Sequence, residues 1–86
     1  MLGLMREECM RQYVGNLVER DRPDLNLESY SFATADGKEA AIARLVASAQ
    51  QTMEDRGIES ATLVMTEDDS GIGRRDLQNR KYALRG

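Results

Sequence analysis

The sequence predicts a small α+β domain, because helical and strand patterns alternate along a chain of 86 residues. Residues 4–20 and 36–56 place apolar side chains at the 3.6-residue spacing of a helix. Residues 25–34 and 60–67 alternate apolar and polar side chains, which is typical of a strand. The predicted order is helix, strand, helix, strand, followed by a short C-terminal strand or helix, all within a single domain spanning residues 1–86.

The first predicted helix has a wide apolar face, which covers about half of its circumference instead of the usual stripe of about 100°. The face consists of Leu2, Met5, Cys9, Met10, Tyr13, Val14 and Leu17. A helix this apolar contacts two layers of its own domain, or its own domain and another chain. We take Met5, Cys9 and Tyr13 as the apolar dimer or partner contact. Pro23 ends the helix, because the residue before a proline avoids the helical region.

The first predicted strand contains two phases of alternation. Leu25 and Leu27 alternate in one phase, and Tyr30 and Phe32 alternate in the other. One extra residue near Glu28–Ser29, a β-bulge, would bring both pairs onto the same face of a sheet.

The second predicted helix has a signal at each end. Asp36 is placed as the N-cap, with Glu39 three residues later as in a capping box. Gly57 supplies the left-handed residue that ends the helix. The apolar stripe consists of Ile42, Leu45, Val46, Ala49 and Met53. Ala40, Ala43 and Ala47 lie on the opposite face. Small side chains there can permit close approach of another backbone, but we favour the interpretation that alanine serves as a good helix former on a solvated surface.

The two predicted strands are joined by a helix, which is compatible with a parallel, right-handed βαβ unit. Two parallel strands make a poor sheet, so a further element has to complete it. The tail can supply a third strand through "KYALR" at residues 81–85, or a short helix carrying Leu77 and Leu84. The alternative is that a second copy of the chain completes the sheet, and we predict a homodimer.

Cysteine usage and hydropathy predict a cytoplasmic protein. The only cysteine is Cys9, so the chain cannot form an internal disulfide, which fits a reducing compartment. No apolar run approaches the roughly 20 residues that a membrane span needs, so no membrane association is expected. The N-terminus has no continuous apolar region of the kind found in signal peptides.

The stretch "TEDDSGIGRR" at residues 66–75 contains two glycines between acids and arginines. A phosphate-binding loop is disfavoured, because the third glycine and the Lys-Ser/Thr pair are missing and three acids precede the glycines. A metal loop is disfavoured, because the acids are adjacent instead of alternating. The sequence favours a solvated turn or connector that presents both charge signs close together, and we predict neither a cofactor nor a metal.

Catalysis has little support from the residue types present. The chain has no histidine, so it has no histidine-based triad or general base. Cys9 lies on the apolar helix face, which favours a buried structural thiol over a nucleophile. Adjacent carboxylates such as Glu7 and Glu8 point in different directions on a helix. We therefore predict that the protein is not an enzyme.

The basic C-terminal segment, residues 74–85, raises the alternative of a nucleic-acid-associated regulator. Residues 70–86 carry five Lys/Arg and one Asp, whereas residues 1–69 carry seven Lys/Arg and 14 Asp/Glu. The net charge of the whole chain is −3. The arginines can contact phosphates, and Tyr82 can stack on a base. The acidic remainder would repel a nucleic acid, and the arginines can instead pair with the chain's own acids.

The sequence therefore favours a protein-binding module, a small acidic inhibitor or regulator that binds a larger protein. Arginine is enriched at protein interfaces, where it binds carboxylates with two hydrogen bonds. In size and charge the chain is similar to phage-encoded antagonists that block a host machine by binding it. The predicted partner-binding residues are Glu67, Asp68, Asp69, Arg74, Arg75, Arg80 and Lys81.

Overall fold

The computed structural model describes residues 10–83, with side chains described as far as Lys81. The elements are strands β1 (Arg11–Val18) and β2 (Asn26–Thr34), helix α1 (Lys38–Arg56), strands β3 (Ser60–Glu67) and β4 (Ser70–Gln78), and the short helix α2 (Arg80–Ala83). The four strands form one sheet, and α1 packs on one of its faces. The predicted α+β class is confirmed.

The sheet has the order β2-β1-β3-β4, and every neighbouring pair is antiparallel. The two strands that flank α1 do not pair with each other, as adjacent strands of a parallel βαβ unit would. Those strands, β2 and β3, do run in the same direction, but β1 lies between them and pairs with both. Helix α1 therefore crosses over β1, and all four strands of the sheet belong to one chain.

The predicted first helix is wrong over Arg11–Val18, which form the central strand β1. Tyr13 and Leu17 face the core, while Val14 and Val18 lie on the opposite face of the same strand. A central strand that is apolar in both phases mimics the wide apolar face of a helix. Residues 4–9 of the predicted helix, including Met5 and Cys9, lie outside the described residues.

The next three predicted elements are confirmed with small shifts at their ends. The register of β1 with β2 changes opposite Leu27, one residue before the predicted bulge at Glu28–Ser29. Gly57 ends α1 in the left-handed region, as predicted. The predicted cap at Asp36 is wrong, because Gly37 (φ 105°) occupies the N-cap position and places Asp36 one residue too early. The Asp36 amide donates instead to Thr34 Oγ1 (3.1 Å).

Strand β4 is absent from the sequence-based prediction. Its sequence, SGIGRRDLQ, has no sustained alternation, and Leu77 is its one buried residue. A short helix is present at Arg80–Ala83, but the prediction that it carries Leu77 is wrong, because Leu77 belongs to β4. Leu84 lies outside the described residues. Strand β4 thus precedes the strand that the sequence predicts at residues 81–85. Strand β1, which the sequence predicts as a helix, is the remaining strand of the sheet.

The core lies between α1 and the sheet, with Leu45 fully buried at its centre. The core residues are Tyr13, Leu17, Ala41, Leu45, Ala49, Met53, Ala61, Leu63, Met65 and Leu77. Gly15 allows the helix to approach β1 closely, because an added Cβ there would lie 3.0 Å from Leu45 Cδ2 and 3.2 Å from Leu63 Cδ1.

A buried asparagine joins the C-terminal ends of α1 and β4. Asn79 Nδ2 donates to the carbonyls of Met53 and Ile58, each at 2.9 Å. Asn79 Oδ1 accepts from the Lys81 amide at the start of α2 (2.9 Å). The side chain is fully buried, so these bonds satisfy polar groups that water does not reach.

Candidate functional site

The stretch at residues 66–75 forms a β-hairpin, in which Glu67 pairs with Ser70 across a two-residue turn. Both turn residues have positive φ, 48° at Asp68 and 67° at Asp69. Two consecutive left-handed residues match the right-handed twist of the flanking strands, and aspartate tolerates this conformation. The backbone therefore forms a strand–turn–strand instead of a loop that wraps around an ion or a phosphate.

Asp68 connects this turn to the start of β1. Its carboxylate accepts from the Gln12 amide (2.9 Å) and from Arg11 Nη1 (3.2 Å), and its own amide donates to the Gln12 carbonyl (2.8 Å). The hydrogen bond from the Gln12 amide, with that from Arg11, lowers the pKa of the Asp68 carboxyl below its usual value. Asp68 therefore has a structural role in holding the hairpin against β1.

Replacing Asp68 with asparagine tests the contribution of this charge to stability. A lowered folded-state pKa means that the ionised carboxylate stabilises the fold above its unfolded-state pKa, and that this contribution disappears as pH falls through the folded-state pKa. We expect wild type to melt at a higher temperature than Asp68→Asn at pH 7, and the difference to vanish in strong acid. Asparagine keeps a side-chain oxygen that can accept from the Gln12 amide, and it tolerates positive φ. A melting difference that is the same at both pH values would contradict the expected role of the charge.

Glu67 and Tyr13 are partners within the chain. Tyr13 Oη donates to Glu67 Oε2 at 2.6 Å, and this hydrogen bond raises the pKa of the Tyr13 phenol. Tyr13 is only 1% exposed and its ring lies 6.0 Å from that of Phe32. The apolar surface of Tyr13 is therefore buried within the chain instead of being presented to another one.

Arg80 is also engaged within the chain, through an ion pair of its Nη2 with Glu54 Oε2 at 2.7 Å. Lys81 is exposed. Two other arginines of the described chain form ion pairs, Arg11 with Asp68 and Arg56 with Glu28. Internal pairing with the chain's own acids thus accounts for part of the basic charge.

Arg74 and Arg75 differ from these residues, because both are exposed on β4 and neither forms an ion pair with a described residue. Arg75 pairs with the buried Leu63 in register, so it lies on the face of the sheet that carries α1. Arg74 pairs with Val64 and lies on the opposite face. The structure therefore divides the predicted arginine pair between two surfaces.

Strand β4 forms one edge of the sheet, with no described strand beside it on the outer side. Its register with β3 shifts between Met65 and Thr66, and Gly73 has φ 140°. Ile72, the residue just before it, is partly buried and packs against the core. This irregularity orients an apolar side chain toward α1 from an otherwise polar strand.

A groove of about 420 Å³ lies between the first two turns of α1 and β4. It is open to solvent and is lined by Lys38, Glu39, Ile42, Ala43, Ile72 and Arg75. Apart from Arg75, none of these residues is predicted from the sequence to belong to a site. The groove exists because β4 lies at the edge of the sheet, and β4 has no apolar pattern from which it can be predicted.

Within residues 10–83, no group of three or more histidine, cysteine, aspartate or glutamate side chains is arranged to hold a metal ion. In the same part of the chain, no helix has the length and apolar character needed to cross a membrane. Comparison with protein-family models, curated proteins and solved structures gives no significant match to the chain.

Proposed function

We propose that the protein is a non-enzymatic binding module, an inhibitor or regulator of a larger cytoplasmic protein, and that β4 is its contact strand. The observation that carries this proposal is an exposed sheet edge bearing Arg74 and Arg75, neither of which is paired with a described acidic residue. An arginine that has no carboxylate partner among the described residues is available to bind one on another protein.

The backbone of β4 supports the same proposal. An edge strand presents unpaired N–H and C=O groups, and proteins often protect such edges from unwanted pairing with charged residues. The two arginines serve that protective purpose against basic or neutral strands. The same charges attract acidic segments, so they select among partners as well as protect the edge.

The alternative of nucleic-acid binding has weaker support. Arg74 and Arg75 lie on opposite faces of the sheet, and Arg80 is paired with Glu54. The adjacent turn carries Asp68 and Asp69, whose charges would repel a phosphate backbone. A continuous basic surface is the usual feature of nucleic-acid binding, and the described side chains favour a protein partner.

The proposal is tested by affinity capture of partners from a cell lysate, followed by mass spectrometry. Wild-type protein is expected to retain one stoichiometric partner. The double variant Arg74→Glu/Arg75→Glu is expected to capture at least about tenfold less of that partner, because charge-assisted hydrogen bonds contribute about 1.5–3 kcal/mol each. The matched control is Arg20→Glu/Arg22→Glu, which makes the same charge change in the exposed β1–β2 loop.

Equal loss of capture in both double variants would show that only net charge matters, and would contradict a contact at β4. Retention of the partner by Arg74→Glu/Arg75→Glu would contradict it directly. Retention of DNA or RNA by wild type, with affinity falling steeply as salt rises, would favour the nucleic-acid alternative. The homodimer stays a prediction, and the helix that suggested it is replaced by β1 over Arg11–Val18.

A further inference from the structure

Building on the proposed function, we propose that the partner supplies an extended acidic segment that adds to the edge of the sheet as a fifth strand beside β4. One apolar side chain of that segment enters the groove between α1 and β4, and a neighbouring carboxylate binds Arg75. The inference specifies the chemistry of the bound segment, which the proposed function leaves open.

Strand addition follows from the position of β4. Its inner side is occupied by β3 from Ser70 to Gln78, while no described strand covers its outer side. In this mode of recognition the added backbone supplies affinity through main-chain hydrogen bonds, and side-chain pockets along the edge supply specificity. A pocket has to lie next to the edge strand for this mode to be selective.

The groove meets that requirement, because two of its lining residues, Ile72 and Arg75, belong to β4 itself. Its apolar lining is formed by Ile42, Ala43 and Ile72. The volume of about 420 Å³ falls within the range of about 300–1,000 Å³ that is usual for small-ligand pockets. Alternate side chains of an added strand point to the same face, so the residue two positions from the inserted one also faces this groove.

The charges around the groove favour a carboxylate on the residue of the bound segment that lies two positions from the inserted apolar one. Lys38 and Arg75 both line the groove, and Glu39 offsets one of the two positive charges. Neither cation has an ion pair with a described residue. An arginine binds a carboxylate through two parallel hydrogen bonds, so we expect Arg75 to be the main contact and Lys38 a point charge beside it.

The test is selection from a phage-displayed random peptide library on the full-length chain, followed by fluorescence polarisation of the synthesised peptides. We expect enrichment of peptides that place an apolar residue and Asp or Glu two positions apart. Arg75→Glu is expected to weaken their binding at least about tenfold, and to weaken it clearly more than Arg74→Glu does, because Arg74 lies on the face away from the groove. The control variant makes the same change on the same strand but on the opposite face.

A second pair of variants tests the groove without altering β4. Ala43 and Ala47 are both exposed on α1, but only Ala43 lines the groove. Ala43→Glu fills the groove and brings a negative charge near Arg75, so we expect it to abolish binding of the selected peptides. Ala47→Glu is expected to leave binding unchanged, and both variants are expected to fold because glutamate is a good helix former.

N-methylation of alternate amides in the best peptide tests the added strand. Binding is expected to fall sharply when the methyl groups replace the N–H donors directed at β4, and to persist with the opposite phase. The inference is wrong if no acidic, apolar peptide is enriched, if Arg75→Glu and Arg74→Glu weaken binding equally, or if Ala43→Glu has no effect. If any of these results is obtained while wild type captures a partner and Arg74→Glu/Arg75→Glu does not, the proposed function is unaffected. Peptide binding with no captured partner would contradict the proposed function alone.

Discussion

Replacing Leu45 with alanine is expected to lower the free energy of unfolding by about 2–5 kcal/mol, the range measured for large-to-small changes in protein cores. Leu45 is fully buried where α1 crosses β1, and Gly15 leaves no side chain that can move into the space. The cavity is expected to persist, because helix and sheet are both held by contacts on either side. In a domain of 86 residues this loss is a large part of the total stability.

Chemical denaturation followed by circular dichroism measures this loss. Leu25→Ala is the matched control, because Leu25 is 38% exposed and lies in the β1–β2 connection. The control is expected to change the free energy of unfolding by less than about 0.5 kcal/mol. Similar losses in both variants would show that Leu45 does not occupy the centre of the core.

Replacing Asn79 with alanine is expected to lower the free energy of unfolding by about 2–4 kcal/mol. The change removes the donor that satisfies the Ile58 carbonyl and the acceptor for the Lys81 amide. A buried polar group left without a partner costs about 1–3 kcal/mol, and loss of a helix cap costs about 0.5–2 kcal/mol. The Met53 carbonyl keeps the Ile58 amide as a partner, which limits the loss.

Two further variants identify the cause of this loss. Asn79→Asp preserves the shape and the acceptor but removes both donors, so it is expected to be at least as destabilising as Asn79→Ala. Gln78→Ala changes the exposed neighbour on β4 and is expected to alter stability by less than about 0.5 kcal/mol. A stable Asn79→Asp protein would contradict the hydrogen-bonding role assigned to Asn79.

Two of the elements that the sequence predicts correctly have most of their apolar side chains on one face. Helix α1 carries a one-sided apolar stripe and ends at Gly57, and β3 places Ala61, Leu63 and Met65 on the core face. Strand β1 is misread because it is central and apolar in both phases, so its side chains mimic the wide face of a helix. Gly15 in that segment was the available signal, since glycine disfavours a helix interior.

The candidate site is predicted in part, for a related reason. Charge identifies Arg74 and Arg75 only together with Arg80 and Lys81, because the ion pair that engages Arg80 with Glu54 depends on the fold. Strand β4 cannot be recognised from apolar patterning, because an edge strand buries few side chains and this one contributes mainly Leu77 to the core. The faces on which the two arginines lie, and the groove next to Arg75, depend on the register of β4 with β3 and cannot be obtained from composition.

Amide hydrogen exchange of the full-length chain, alone and saturated with its captured partner, tests the proposed contact strand most directly. We expect the added protection to be concentrated in β4, Ser70–Gln78, and in the first two turns of α1 that line the groove. Protection confined to β2 at the opposite edge of the sheet, with β4 exchanging as fast as in the free protein, would contradict the account.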